Sequence, residues 1–463
     1  MRHMTKPKRL RVLDELFLHL EGPNTHMHVG AVTVFDGPPP SYQEFLEQVE
    51  VRLKNVPRFR QRLLTVPFGL GRPLWVDDIH FNPEYHLRHT ALPAPGNYEK
   101  LRALAARIMS QQLDRSKPLW EMWFVEGLGG DQWGIISKTH HALVDGVSGA
   151  DLFTVIMDLT PEAEEVEPER WIPDPEPTPD HLIVDALKER ITSPRETIRT
   201  LQSALLDPST IPNRAYEAVR NVSAFVGGSF DFAPESTLNQ AVGPHRRFET
   251  VLAELEDFKA IKNALGGTVN DAVLTAVTGA LRELLRSRGE RVDDLTLRAM
   301  VPVSVRADSE KGALGNQVAS LWAPLPVFEE DPVKRFEFIH ESMKDLKSSG
   351  QAVGAQLLTS MGEFAPPTIL SQASRLVARQ RAFNLVVTNV PGPQFPLYSF
   401  GREMKEVYPV VPISNNTSVC VGLLSYNGKI GFGLLGDYDA APDLGVLAES
   451  LEKSIAELTA LAG

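Results

Sequence analysis

The chain has 463 residues, enough for two or three domains, and 43% of them are hydrophobic, enough for more than one core. Its net charge is −12, from 47 Lys and Arg against 59 Asp and Glu, which argues against a general nucleic-acid binder and against broad adhesion to anionic membranes. The single cysteine, Cys420, excludes an intrachain disulfide framework and fits a reducing compartment.

In chain order, the basic residues Arg2, Lys6, Lys8, Arg9 and Arg11 come first, without the apolar run of a secretory signal. No run approaches the length of a membrane span, so the expected location is cytoplasmic, with any membrane or lipid-inclusion contact peripheral. Leu13 to Glu21 reads as a short apolar helix closed by Gly22-Pro23. Val29 to Phe35 alternates like a strand. Ser41 opens an amphipathic helix to Leu53, with Glu44 at the capping-box position. The basic stretch Pro57 to Leu63 reads as a solvated face. Tyr98 to Leu113 is a helix.

Asp158 to Asp180 alternates prolines with acidic residues and reads as an exposed linker. His181 to Phe232 reads as largely helical. Within it Leu187, Ile191, Ile198, Leu201, Leu205 and Leu206 recur at near-helical spacing among basic residues, a pattern that suits either a lipid surface or packing on the protein body. The second half opens with the strand Arg247 to Ala253. A helix from Thr268 to Arg288 follows, then strands at Leu297 to Val305 and Gln317 to Leu325. Pro332 to Leu346 is a helix and Asn384 to Asn389 a strand. The strands Thr417 to Tyr426 and Lys429 to Tyr438 flank Asn427-Gly428, the best hairpin signal in the chain, and Leu444 to Leu461 is a closing helix. Cys420 lies in one of these strands and reads as core.

The stretch richest in chemistry is Gln132 to Gly149, QWGIISKTHHALVDGVSG. Trp133 to Thr139 reads as a buried strand, paired through a turn with Leu119 to Glu126. It runs into His140-His141, then Asp145-Gly146, and then an apolar run that looks helical. Two imidazoles and a carboxylate thus sit where a strand gives way to a helix, a setting that suits catalysis. Neighbouring strand side chains face opposite ways, so one histidine is expected as acid/base and the other as a packed support. No Cys/His cluster suggests a metal. A serine nucleophile has little support, because Gly146-Val147-Ser148-Gly149-Ala150 lacks the second glycine of a GxSxG elbow.

HHALVDG resembles the HHxxxDG motif of the coenzyme-A-dependent acyltransferase superfamily. An ordered set of further motifs makes the chain similar to bacterial wax ester synthase/diacylglycerol acyltransferases within it. They are Pro118-Leu119-Trp120, Asn270-Asp271, the VPVS-R segment from Val301 to Arg306, and TNVPGP from Thr388 to Pro393. The resemblance implies an α+β fold of two chloramphenicol-acetyltransferase-like domains with mixed sheets flanked by helices. Residues 10–160 would form the first, 161–240 a partly helical linker, and 241–463 the second. It implies transfer of an acyl group from long-chain acyl-CoA, a co-substrate rather than a bound cofactor, to diacylglycerol or a fatty alcohol.

By resemblance His141 is the general base and His140 its support. Asp145 is structural, with Arg306 the candidate partner. Gly146 permits a backbone angle or close approach that a side chain would forbid. Asn270 and Asp271 have two compatible readings, lining the site and capping a helix. Pro118, Leu119 and Trp120 have the readings of acyl-channel wall and of core. Two alternatives stay open: a carrier-bound or polyketide alcohol as acceptor, and a non-catalytic lipid-inclusion protein.

Overall fold

The structure is a computed structural model and describes residues 7–144, 157–162, 171–192, 232–304, 318–348 and 382–462. The first half runs β1 (Lys8–Arg9), α1 (Val12–Leu20), β2 (His28–Asp36), α2 (Tyr42–Arg52), β3 (Gln61–Leu64), β4 (Leu74–Asp77), α3 (Pro83–His86), β5 (Leu87–Ala91), α4 (Tyr98–Met109), β6 (Trp120–Leu128), β7 (Gln132–His140) and α5 (His141–Val144). Helix α6 (Pro179–Thr192) lies between the halves. The second half runs β8 (Arg246–Glu254), α7 (Leu255–Leu265), α8 (Val269–Ser287), β9 (Leu297–Ser304), β10 (Val318–Leu325), α9 (Pro332–Ser348), β11 (Leu385–Pro391), β12 (Tyr398–Ser399), β13 (Arg402–Val410), β14 (Val419–Tyr426), β15 (Lys429–Asp437) and α10 (Leu444–Ala462).

Local chemistry accounts for many of the boundaries. Ser41 and Glu44 close the capping box at the start of α2, with Glu44 N donating to Ser41 Oγ at 3.2 Å and Ser41 N to Glu44 Oε2 at 2.7 Å. Thr268 and Asp271 do the same for α8. The β14–β15 hairpin turns on Asn427 and Gly428, both at positive φ, as a two-residue turn matched to strand twist requires.

Two six-stranded mixed sheets carry the fold, in the orders β12-β13-β2-β7-β6-β5 and β10-β9-β11-β14-β15-β8. Helices α7, α8, α9 and α10 pack with the second sheet around one large core. Parallel and antiparallel pairings occur in both sheets, so the α+β class expected from the sequence is what forms. A small sheet, β1-β4-β3, lies beside the first.

One piece of the second half leaves it. Strand β13 pairs antiparallel with β2 in the first sheet and packs across β14 and β15 of the second. Backbone meets backbone at this crossing. A Cβ on Gly431 would lie 2.0 Å from Val407 O, and one on Gly433 would lie 1.8 Å from Pro409 O. Glycine is what allows the close approach.

The segment between the halves is less free than its composition suggests. Asp158 is buried, not exposed: Arg52 Nη2 donates to its Oδ1 at 2.6 Å, and its backbone exchanges hydrogen bonds with Tyr398. Trp171 lies edge-on to Phe81 and under Arg60, and Asp174 N donates to Asp77 Oδ2. Helix α6 turns Leu182 and Ala186 onto Val66, Leu74 and Val76. Its described apolar residues therefore include a face packed on the protein body. Residues 163–170 and 193–231, with the apolar repeat from Ile198 to Leu206, lie outside the described residues. Among the described residues no helix is long and apolar enough to cross a membrane.

Candidate active site

Strand β7 pairs with β2 on one side and β6 on the other, which sets His140 opposite His28. Its last turn of chain is pinned from both neighbours. His140 N donates to Leu119 O at 2.9 Å, and His141 N to Met27 O at 2.7 Å. Leu119 belongs to the Pro118-Leu119-Trp120 element, all of it buried. The Trp120 ring is 1% exposed, stacks on His86 with centroids 4.7 Å apart, and donates from Nε1 to Phe59 O at 2.7 Å. The contacts described for these three residues brace the strand end from behind.

The two histidines diverge, His140 ending β7 and His141 opening α5. His140 is completely buried, and its Nδ1 accepts from Ala142 N at 3.0 Å. A neutral ring that accepts at Nδ1 carries its proton at Nε2. That atom faces Glu21 Oε2 at 3.6 Å, an electrostatic contact rather than a hydrogen bond. His141 opens α5, is only partly buried, and stacks on Phe17 with centroids 3.9 Å apart and planes 27° from parallel.

Glu21 is the hub behind the pair. Its side chain is 1% exposed and faces His28 Nε2 at 3.4 Å as well as His140. Arg115 caps it, with Nε at 2.7 Å from Oε2 and a second bond from Nη2 to the same oxygen. Burial alone would raise the carboxyl pKa. Its contacts with His140 and His28 and the charge of Arg115 outweigh burial and hold it far below the usual carboxylate range. His28 is pushed the other way by burial, down to about 3, and so stays neutral. Lys138, two residues before His140 on the same face, is fully buried. Its Nζ donates to Ile108 O and Gln111 O, carbonyls at and beyond the end of α4, at 3.1 and 3.0 Å. Burial lowers its pKa, and Glu121 at 3.5 Å opposes that.

The model of the Wax ester synthase/diacylglycerol acyltransferase catalytic domain matches residues 10–273, and that of the WS/DGAT C-terminal domain matches residues 314–459. A "Probable diacyglycerol O-acyltransferase tgs1" of Mycobacterium tuberculosis is 34% identical over 98% of this chain and 96% of its own length. The chain belongs to the wax ester synthase/diacylglycerol acyltransferase family. The solved structure of the wax ester synthase/diacylglycerol acyltransferase from Marinobacter aquaeolei VT8 superposes with a TM-score of 0.71 at 29% identity, covering 98% of this chain and 100% of that one. The first condensation domain of the calcium-dependent antibiotic synthetase shares the fold alone, with a TM-score of 0.58 at 15% identity over 99% of this chain and 97% of that one. The family is one of acyltransferases, and the two-domain acyltransferase-like architecture follows.

For this family member, the remaining expected residues fall in two groups. Asp145, Gly146 and Arg306 lie outside the described residues, as does Ser148. Asn270 and Asp271 open α8 in the second core. Asp271 is 1% exposed, its Oδ2 accepts from Thr268 N at 2.9 Å, and it meets His340 Nδ1 at 2.9 Å. Those contacts place Asp271 in the capping box that Thr268 opens, and Thr268, not Asn270, is the N-cap. Asn270 is half-buried beside it. Cys420 is fully buried and its thiol is pushed up to about 12 by burial, which leaves it protonated.

Sequence reasoning missed Glu21, His28, Arg115 and Phe17. A signal existed for two of them. Glu21 is a carboxylate closing an otherwise apolar helix, and His28 sits at an inward-facing position of β2. Arg115 had none, since only the fold brings it to a residue 94 positions away.

Proposed function

We propose that this protein transfers the acyl group of long-chain acyl-CoA to a lipid alcohol, diacylglycerol or a fatty alcohol, by direct attack with His141 as general base. The observation that carries the assignment is the contrast within the pair. His140 has Nδ1 committed to Ala142 N and Nε2 turned into the buried Glu21 cluster, whereas His141 keeps part of its surface open. His141 takes the alcohol proton as the oxygen bonds to the thioester carbonyl carbon. The tetrahedral intermediate then collapses, the carbon–sulfur bond breaks, and the imidazolium returns its proton to the departing thiolate. Phe17 holds the base ring by stacking. Glu21, with His28 and Arg115, holds His140 in one tautomer beneath it. In this reading Asp145 and Arg306 support the loop as a pair, and Gly146 shapes its backbone. Pro118, Leu119, Trp120, Asn270 and Asp271 keep the scaffold rigid. A water-insoluble acceptor puts the reaction at a lipid surface, on the inner face of the membrane or on an inclusion.

The test offers purified protein long-chain acyl-CoA with diacylglycerol, with a fatty alcohol, or with neither, and follows ester and free thiol. His141→Ala is expected to lose about 10²- to 10⁴-fold in turnover while melting like the wild type. Wild-type activity in that variant, or an acyl-enzyme ester trapped on Ser148, refutes direct transfer.

A further inference from the structure

The basic residues near the start of the chain and the basic stretch after α2 stand apart in the sequence and have no part in the chemistry above. The fold brings them together. Lys8, Arg9, Arg11 and Arg58 line a pocket of about 160 Å³, with Asp14 as the acidic member. Among the described lining residues four cations face one carboxylate, in a chain whose net charge is −12. The inner wall is Ala142 and Leu143, the two residues that follow His141 on α5. The pocket is therefore the neighbour of the reacting histidine on the α1 side.

Arg58 is the fixed element of this pocket. Its guanidinium lies over the Trp75 ring, 4.7 Å from the centroid. Burial pulls its pKa down to about 10, with Asp14 opposing, so it is charged at neutral pH. Its Nη1 is buried and meets no acceptor among the described residues. A buried guanidinium N–H without an acceptor is costly and is relieved by an anionic oxygen. Lys8 and Arg11 are exposed at the rim, where they draw an anion in. Arg9 is anchored by donating from Nη1 to Arg72 O at 3.1 Å.

We infer that this pocket binds phosphate groups of the coenzyme A moiety, with Arg58 as the inner donor and Lys8 and Arg11 at the entrance. The inference rests on the function proposed above. Coenzyme A carries its phosphates at the far end of a long flexible arm from the sulfur. Phosphates held at a pocket that opens beside α5 would leave the arm free to deliver the thioester toward His141.

Equilibrium binding of free coenzyme A and of pantetheine, which has the thiol arm without phosphates, tests this without relying on turnover. The wild type is expected to bind coenzyme A more tightly than pantetheine, by a margin that shrinks as salt rises. The double variant Lys8→Gln/Arg11→Gln and, separately, Arg58→Gln are expected to weaken coenzyme A binding about ten- to a hundredfold and leave pantetheine binding alone. The exposed pair tests the idea even if Arg58→Gln unfolds. Equal wild-type affinity for the two ligands, or variants that bind coenzyme A like the wild type, would overturn the inference. So would vesicles containing phosphatidylglycerol competing for the pocket while coenzyme A does not, since the site would then belong to lipid headgroups. If coenzyme A binds as expected yet no ester forms with any alcohol, the phosphate site stands and the proposed reaction falls.

Discussion

His86 should make the first domain acid-sensitive. It is 1% exposed, its ring is stacked between Trp120 and Phe81 with centroids 4.7 and 5.2 Å away, and Nδ1 donates to Trp120 O at 2.8 Å. Burial lowers its pKa to about 4, outweighing the hydrogen bond to Trp120 O. An unfolded histidine titrates near 6.5. The native pKa is the lower one, so the unfolded chain takes up the proton first as pH falls. Stability is therefore full above about pH 6.5 and declines down to about pH 4. Each pH unit in that window costs about 1.4 kcal/mol. Between pH 6.5 and pH 5 the loss from this one ring is about 2 kcal/mol. His86→Gln removes the titration, at the price of the stack. Urea unfolding followed by tryptophan fluorescence at about pH 8, 6.5 and 5 should show the two proteins converging as pH falls, because the variant lacks this loss. His26 and His28 are also lowered by burial and add to the decline in both proteins, so the difference isolates His86. Parallel stability curves over that range refute the argument.

Glu21→Gln should lower both stability and turnover, because it removes the charge that Arg115, His28 and His140 surround. The depressed carboxyl pKa means the stability deficit is full above the ordinary glutamate range and fades as pH falls below it, which melting at about pH 7 and pH 3.5 would show. Arg52→Ala leaves Asp158 buried without its partner and should cost about 3–5 kcal/mol in denaturant unfolding; replacing both residues by apolar ones should cost much less. Asp271→Asn weakens the capping box of α8 and the contact to His340. A loss of about 1 kcal/mol with little change in turnover is expected, and a large loss of activity at unchanged stability would instead mean that the Asn270-Asp271 pair touches substrate.

What could be read from the sequence was local. Turn residues marked the β6–β7 and β14–β15 hairpins, the capping box marked α2, and the break from strand to helix was expected at His140-His141. What escaped was made by distant contacts. Strand β13, REMKEVYPV, mixes charges with apolar residues and looks like no strand until β2 lies beside it. Strands β1, β3 and β4 are two to four residues long and offer too little period to detect. The carboxylate behind His140 is a helix-end residue whose partners come from three other places in the chain.

The strand that changes sides has a consequence for how the molecule is made. Until residues 402–410 emerge, β2 has β7 on one side and an open edge on the other. That edge belongs to the strand that carries His28, and an unpaired strand edge invites other chains. The first domain is thus expected to wait for a piece some 370 positions downstream, and pairings that distant form slowly. Expressed alone, residues 7–162 should aggregate, and supplying the second half on a separate chain should rescue them. The two sheets look like independent neighbours, but as a folding problem they are a single unit.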